Sequence, residues 1–120
     1  MIAVGVDLIE ISRIEAILKR HGDRFLDRVY TEGELAYAQR RLSALATRWA
    51  AKEATAKALG TGIGQVGFRE IEVICDAQGK PELHLHGNAA HLAARLNLSQ
   101  FVLSLSHTAD YALAFVVAQG

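Results

Sequence analysis

Sulfur and proline are scarce in this chain: of 120 residues, one is cysteine, one methionine and one proline. A lone Cys75 rules out an internal disulfide and leaves no thiolate cluster for zinc. No repeat, low-complexity run or Pro/Gly-rich linker divides the sequence, so one domain over residues 1–120 is expected, and a second core would not fit. No apolar stretch approaches the roughly 20 residues of a membrane span. The opening Met1-Ile2-Ala3-Val4-Gly5-Val6-Asp7 also lacks the basic start and long apolar run of a signal peptide. A reducing cytoplasm is the expected compartment, which makes the sequon Asn97-Leu98-Ser99 a chance match.

Net charge is absent too, with 13 basic residues against 13 acidic ones, so nothing global argues for nucleic acid. The balance is uneven along the chain. Residues 1–60 hold ten Lys/Arg against eight Asp/Glu, and residues 61–120 hold three against five, which favours a local anionic ligand near the first half. Apolar residues make up 51% of the chain, enough for a modest core that buries about two-thirds of the unfolded surface.

The Ile/Val-rich stretch 2–11 reads as a buried strand with Asp7 near its middle. Ser12 is expected to cap a helix carrying Ile14, Ile17 and Leu18, which His21-Gly22-Asp23 interrupts, and a short helical piece around Phe25, Leu26 and Val29 follows. Thr31 and Glu34 have capping-box spacing and open a helix expected to reach about Arg41. Ser43 is a candidate cap for the longest helix, residues 44–59, which Gly60 stops before a loop containing Gly62, Gly64 and Gly67. Strands over 68–75 and 82–86 flank a turn at Asp76–Pro81, Asn88 caps a helix to about Leu96, and strands 101–106 and 111–118 form a closing hairpin. This order predicts an α+β fold with a mostly antiparallel sheet and a long central helix.

An aspartate between Val6 and Leu8 is out of place in a buried strand, because an unpaired buried carboxylate costs several kcal/mol. It either caps the helix near Ser12 or meets a partner. Glu53 is the candidate partner: Trp49, Glu53 and Lys57 lie four apart and share one helix face. An isolated Glu–Lys pair is ordinarily a solvated surface feature. Yet Mg²⁺ asks for only one or two carboxylates and takes its other ligands from water and phosphate, so Asp7 plus Glu53, ringed by Arg48, Lys52 and Lys57, would suit a diphosphate–magnesium site.

Other motifs carry less. Gly62-Ile63-Gly64-Gln65-Val66-Gly67 matches GxGxxG, but a dinucleotide fingerprint needs a strand before and a helix after, the reverse of the order here. His84 and His86 lack an evident third metal ligand and read as exposed histidines. Ser106 and His107 are strand neighbours that point to opposite faces, which removes a Ser/His/Asp110 triad; His107 remains a candidate phosphate contact. Arg13, Lys19, Arg20, Arg24 and Arg28 make the early helices basic, as a solvated face or as a dock for an acidic protein.

Two stretches together resemble a known family. Gly5-Val6-Asp7-Leu8-Ile9-Glu10-Ile11-Ser12-Arg13-Ile14 is similar to the N-terminal signature of the small holo-acyl-carrier-protein synthases, and Arg48-Trp49-Ala50-Ala51-Lys52-Glu53-Ala54 through Lys57–Gly64 to their second signature. Ser104–Thr108 and the Gly79-Lys80-Pro81 turn also resemble the family, which commonly has Phe where Trp49 stands. The resemblance runs nearly end to end. It implies a phosphopantetheinyl transferase fold, a homotrimer with coenzyme A at subunit interfaces, and transfer of 4′-phosphopantetheine to a carrier-protein serine. It further implies Mg²⁺ on Asp7 and Glu53, catalysis by these with Lys57, and a coenzyme A site lined by Arg48, Lys57, Gly62, Ile63, Gly64, Lys80, Pro81, His107 and Thr108. Arg13, Arg20 and Arg24 would dock the acyl carrier protein. The competing expectation is a non-catalytic coenzyme A or nucleotide-binding module of the same fold.

Overall fold

The structure, a computed structural model, describes residues 1–120. Its elements run β1 (Ile2–Glu10), α1 (Ile11–His21), α2 (Asp23–Val29), α3 (Glu32–Ala38), α4 (Leu42–Ala58), β2 (Ile71–Cys75), β3 (Pro81–Leu85), α5 (Gly87–Arg95), β4 (Gln100–His107) and β5 (Tyr111–Gln119). One antiparallel sheet has the order β1-β5-β4, and β2 pairs antiparallel with β3 in a second. The expected α+β architecture with a long central helix is what forms, including the β4–β5 hairpin.

α4 holds the fold together because alanine lines it. Ala44, Ala46, Ala50, Ala51, Ala54, Ala56 and Ala58 are all buried, so strands can approach several sides of the helix closely. The tightest approach is at Gly5 of β1. A Cβ there would overlap the Ala54 carbonyl oxygen and sit 3.0 Å from the Ala58 amide nitrogen. Only glycine lets the strand lie this close. Alternation along β1 then turns Gly5, Asp7 and Ile9 toward α4 and leaves Val4, Val6 and Leu8 exposed.

A second constraint is an ion pair with no access to solvent. The side chains of Lys52 and Glu34 are both 0% exposed, with Nζ 2.7 Å from Oε1. Lys52 also donates to the carbonyls of Phe68 (2.9 Å) and Ile71 (2.5 Å), while Glu34 accepts from the Val73 and Thr31 amides at 2.9 Å. The pair thus fastens α4 to α3 and to the start of β2. Every donor is used, which is what burial of two charges requires; removing one partner of such a pair costs about 3–5 kcal/mol. Burial holds the Lys52 ammonium below its ordinary pKa, and Glu34 pulls it back up.

Several boundaries differ from the sequence-based expectation. Ser12 and Ser43 do not cap: Glu10 and Arg41 occupy those N-cap positions without a side-chain capping bond, and both serines lie inside their helices. The Thr31/Glu34 capping box forms, but α3 ends at Ala38 because Gln39 and Arg40 adopt left-handed backbone at φ 47° and 61°. Arg40 is held there by a salt bridge to Asp23, and Arg41 donates to the Ala38 and Tyr37 carbonyls. The expected strand at 68 begins instead with a 3₁₀ turn, Phe68–Glu70, before β2. Asn88 lies inside α5, whose N-cap is His86.

Gly5→Ala is expected to destabilise the chain by about 3 kcal/mol or more, since the added methyl must part β1 from α4. Denaturant unfolding measures this, and a loss below about 1 kcal/mol would contradict the close approach.

Candidate active site

The close approach of β1 delivers Asp7 to the last turns of α4. Its carboxylate is 17% exposed, and its Oδ1 lies 3.2 Å from the Lys57 ammonium, which also donates to the Val6 carbonyl at 2.9 Å. Glu53, one turn before Lys57, is half-buried. Burial raises its pKa above the ordinary carboxylate value, the Asp7 charge raises it further, and Lys57 opposes both. Two carboxylates therefore feel one another across the β1–α4 seam, with the Lys57 ammonium paired to Asp7 and its charge felt by Glu53. Asp7 faces α4 from the middle of the strand, so its alternative role as a cap for α1 is excluded.

Continuing along the same face, Trp49 lies one turn on the other side of Glu53. Its ring packs against Phe68 at 4.8 Å and Phe25 at 6.1 Å between centroids. Together with Ile17 and Val29 these rings floor a cavity of about 260 Å³, rimmed by His21, Arg24 and Arg28. Arg13, Arg20 and Arg24 are exposed, the first two seven residues apart on α1 and so on one side of it. An apolar recess with a cationic rim thus adjoins the carboxylates. Sequence reasoning placed Trp49 on this face but gave it no partner.

The remaining predicted residues fall into separate groups. Lys52 is a correction: it does not ring Asp7 and Glu53, because its ammonium is enclosed with Glu34 on another side of α4. Arg48 is nine residues before Lys57, about two and a half turns, and so projects from the opposite side of the helix. Its guanidinium is buried, lies 4.3 Å from the Tyr37 ring centroid, and donates to Thr47 Oγ1 (3.0 Å) and Cys75 Sγ (3.3 Å). No carboxylate pairs with it, and its Nε has no partner. Cys75 is the register partner of Pro81, so Arg48 and the Lys80-Pro81 turn belong to one neighbourhood.

His107 ends β4 and is exposed, as is Thr108, whose hydroxyl accepts from the Asp110 and Tyr111 amides in the hairpin turn. Gly62, Ile63 and Gly64 form the tip of the loop after α4. Gly60 at φ 76° ends that helix, and a helix precedes the loop while a strand follows, as the rejection of a dinucleotide fingerprint required. His84 and His86 are exposed and pair with Glu82 (4.0 Å) and Glu72 (3.0 Å). No group of three or more His, Cys, Asp or Glu is placed to hold a metal. The candidate metal ligands are two carboxylates only.

Comparison with known proteins identifies the family and the fold. Residues 3–116 match the model of the 4′-phosphopantetheinyl transferase superfamily. A holo-[acyl-carrier-protein] synthase of Herpetosiphon aurantiacus is 50% identical, with 100% of both chains covered, and one from Gloeobacter violaceus is 49% identical over 98% of this chain and 92% of its own. Among solved structures, the holo-[acyl-carrier-protein] synthase of Neisseria meningitidis superposes with a TM-score of 0.91 at 41% identity, covering 100% of both chains. That of Helicobacter pylori, in complex with coenzyme A, gives a TM-score of 0.89 at 32% identity, covering 97% of this chain and 99% of its own. The chain belongs to the 4′-phosphopantetheinyl transferase superfamily, with holo-[acyl-carrier-protein] synthases as its relatives.

Proposed function

We infer that the chain transfers 4′-phosphopantetheine from coenzyme A to a serine of an apo-acyl carrier protein. The observation that carries this reading is the meeting of Asp7, Glu53 and Lys57 one helical turn from an apolar recess rimmed by cations. The first group suits a diphosphate and the second an acidic protein helix.

The donor chemistry fits Mg²⁺. Asp7 and Glu53 present hard carboxylate oxygens, and the Glu53 pKa, raised first by burial and then by the Asp7 charge, is one a bound cation would bring down. When bound there, the ion supplies charge neutralisation for the diphosphate. Lys57 adds a fixed positive charge beside it. The carrier serine oxygen forms a bond to the β-phosphorus, and the bond from that phosphorus to the oxygen of adenosine 3′,5′-bisphosphate breaks. Positioning and charge dominate such transfers, with little covalent help from the protein. The serine proton goes to Glu53 or to water.

The rest of the coenzyme A site is assembled between copies of the chain. Arg48 projects from the opposite side of α4 to Lys57, with the Lys80-Pro81 turn in its neighbourhood, so in this reading these residues and His107 reach the nucleotide of a neighbouring chain. The sheet supports association: Val4, Val6, Leu8, Val102, Leu113 and Phe115 expose apolar surface on one face of β1-β5-β4. A patch of this kind marks an interface, and a homotrimer is the assembly we propose. Arg48 then offers a buried guanidinium with no carboxylate of its own to a phosphate. Gly62, Ile63 and Gly64 pack against the nucleotide. Arg13, Arg20 and Arg24 meet the carrier. No helix is long and apolar enough to cross a membrane, and the cytoplasm is the compartment we propose.

Incubating an apo carrier with the protein, coenzyme A and Mg²⁺ should add one phosphopantetheine to the carrier mass; binding without this gain would instead identify a non-catalytic module. Asp7→Ala and Glu53→Ala should each slow transfer on the order of a hundredfold or more while the protein stays folded. Wild-type rates in either variant at limiting Mg²⁺ would refute the metal assignment. Arg13→Glu should raise the carrier KM about tenfold with the coenzyme A KM unchanged, and an unaltered carrier KM would contradict the docking face.

A further inference from the structure

The glycine-rich loop after α4 is fastened at its far end by a side chain with no role so far. Its near end is set by α4, through the Thr61 amide bonded to the Ala56 carbonyl at 3.0 Å. Within the loop, Thr61 Oγ1 donates to Gln65 Oε1 (2.6 Å), and the Gly64 amide donates to the Val66 carbonyl (3.0 Å). Val66, 1% exposed, packs into the smaller core cluster with Leu59, Ile71, Ala89 and Leu98. The tip at Gly62–Gln65 thus stands between two anchors.

Glu70 adds a third anchor at Gly67, just past Val66. One carboxylate oxygen accepts from the Gly67 amide at 2.6 Å, and the other accepts from the Asn88 amide in the first turn of α5, also at 2.6 Å. The Glu70 carbonyl takes a further bond from the His86 amide at 2.8 Å. Gly87 makes room for this bridge, since a Cβ there would run into the Glu70 carboxylate. Both side-chain partners are N–H donors, so both oxygens must be acceptors. Only an ionised carboxylate of this length meets that requirement. A short, charge-assisted bridge of this kind is among the stronger hydrogen bonds a surface can carry.

We propose that Glu70 is a positioning residue for coenzyme A: it clasps the Gly67 end of the glycine-rich loop to the N-terminus of α5 and so helps hold the Gly62–Gln65 tip in its nucleotide-binding form. This rests on the reading that the loop lines the coenzyme A site. Glu70 itself does not touch the reacting atoms. Its effect is on the fraction of molecules whose loop is competent, and a ligand's apparent affinity falls in proportion to that fraction. The carrier recess shares Phe68 with the 3₁₀ turn that carries Glu70, but Phe68 is fixed independently of the clasp, by its ring contact with Trp49 and by the Lys52 bond to its carbonyl.

Glu70→Gln is the sharpest test, because the amide keeps one acceptor and turns an N–H₂ group toward the other N–H. The expected result is a rise of about tenfold in the coenzyme A KM, with kcat at saturating coenzyme A within about twofold and the carrier KM unchanged. Glu70→Ala should show the same split more strongly, and Ile63→Ala at the loop tip serves as the control for the loop itself. If Ile63→Ala raises the coenzyme A KM while neither Glu70 variant does, the clasp is wrong and the loop reading stands. If none of the three moves it, the loop does not bind coenzyme A and the proposal falls with that reading. A parallel loss in kcat and in both KM values, accompanied by a lower Tm, would make Glu70 merely structural and overturn the proposal.

Discussion

The backbone of β1 touches the backbone of α4 at Gly5, and the position of every group in the carboxylate cluster follows from that contact. A strand two or three ångströms further out would still bury apolar side chains, but it would separate Asp7 from Lys57 and Glu53. Side-chain alternation does the rest, turning Asp7 inward beside Gly5 and Ile9. The alanines of α4 make the same contact possible from the helix side, so the small residues of this fold serve geometry more than hydrophobic burial.

α4 divides its surroundings by side. One side carries Trp49, Glu53 and Lys57 and runs from the apolar recess to the carboxylates. Another holds Lys52 in its enclosed pair with Glu34, which costs desolvation but fixes the helix against α3 and β2. Arg48, one turn before Lys52 on that same side, is buried, stacked on Tyr37 and without a carboxylate. Two cations four residues apart on one helix therefore have opposite fates: Lys52 is neutralised inside the chain, and Arg48 keeps a charge that a phosphate can answer. The raised pKa of Glu53 adds a pH dependence of definite sign. The folded, metal-free chain holds that proton more tightly than the unfolded chain, so this group's contribution to stability is present below the unfolded value and is lost as pH rises through the raised one.

Much of this was legible in the sequence, and the misses have physical causes. The Ile/Val run around Asp7, the i, i+4 spacing of Trp49, Glu53 and Lys57, and the order of strands and helices are local patterns, and they gave the fold class and the carboxylate pair. Ser12 and Ser43 misled because a capping side chain is only a preference, and at both helices the N-cap lies two residues earlier. The partner of Lys52 lies 18 residues away on another helix, and no local signal joins them. Gly5 could have been singled out, since a glycine inside a strand commonly marks a close backbone approach. Glu70 could not, because its two partners are backbone amides at Gly67 and Asn88, one of them 18 positions distant.

The most direct test of the β1–α4 seam is an NMR titration of the Glu53 carboxyl carbon, in the wild type and in Asp7→Asn. Removing the Asp7 charge leaves Lys57 free to favour the Glu53 carboxylate, so the midpoint should fall toward the ordinary glutamate range, and Mg²⁺ should lower it in the wild type. A Glu53 midpoint indifferent to both changes would mean that the two carboxylates do not share a site.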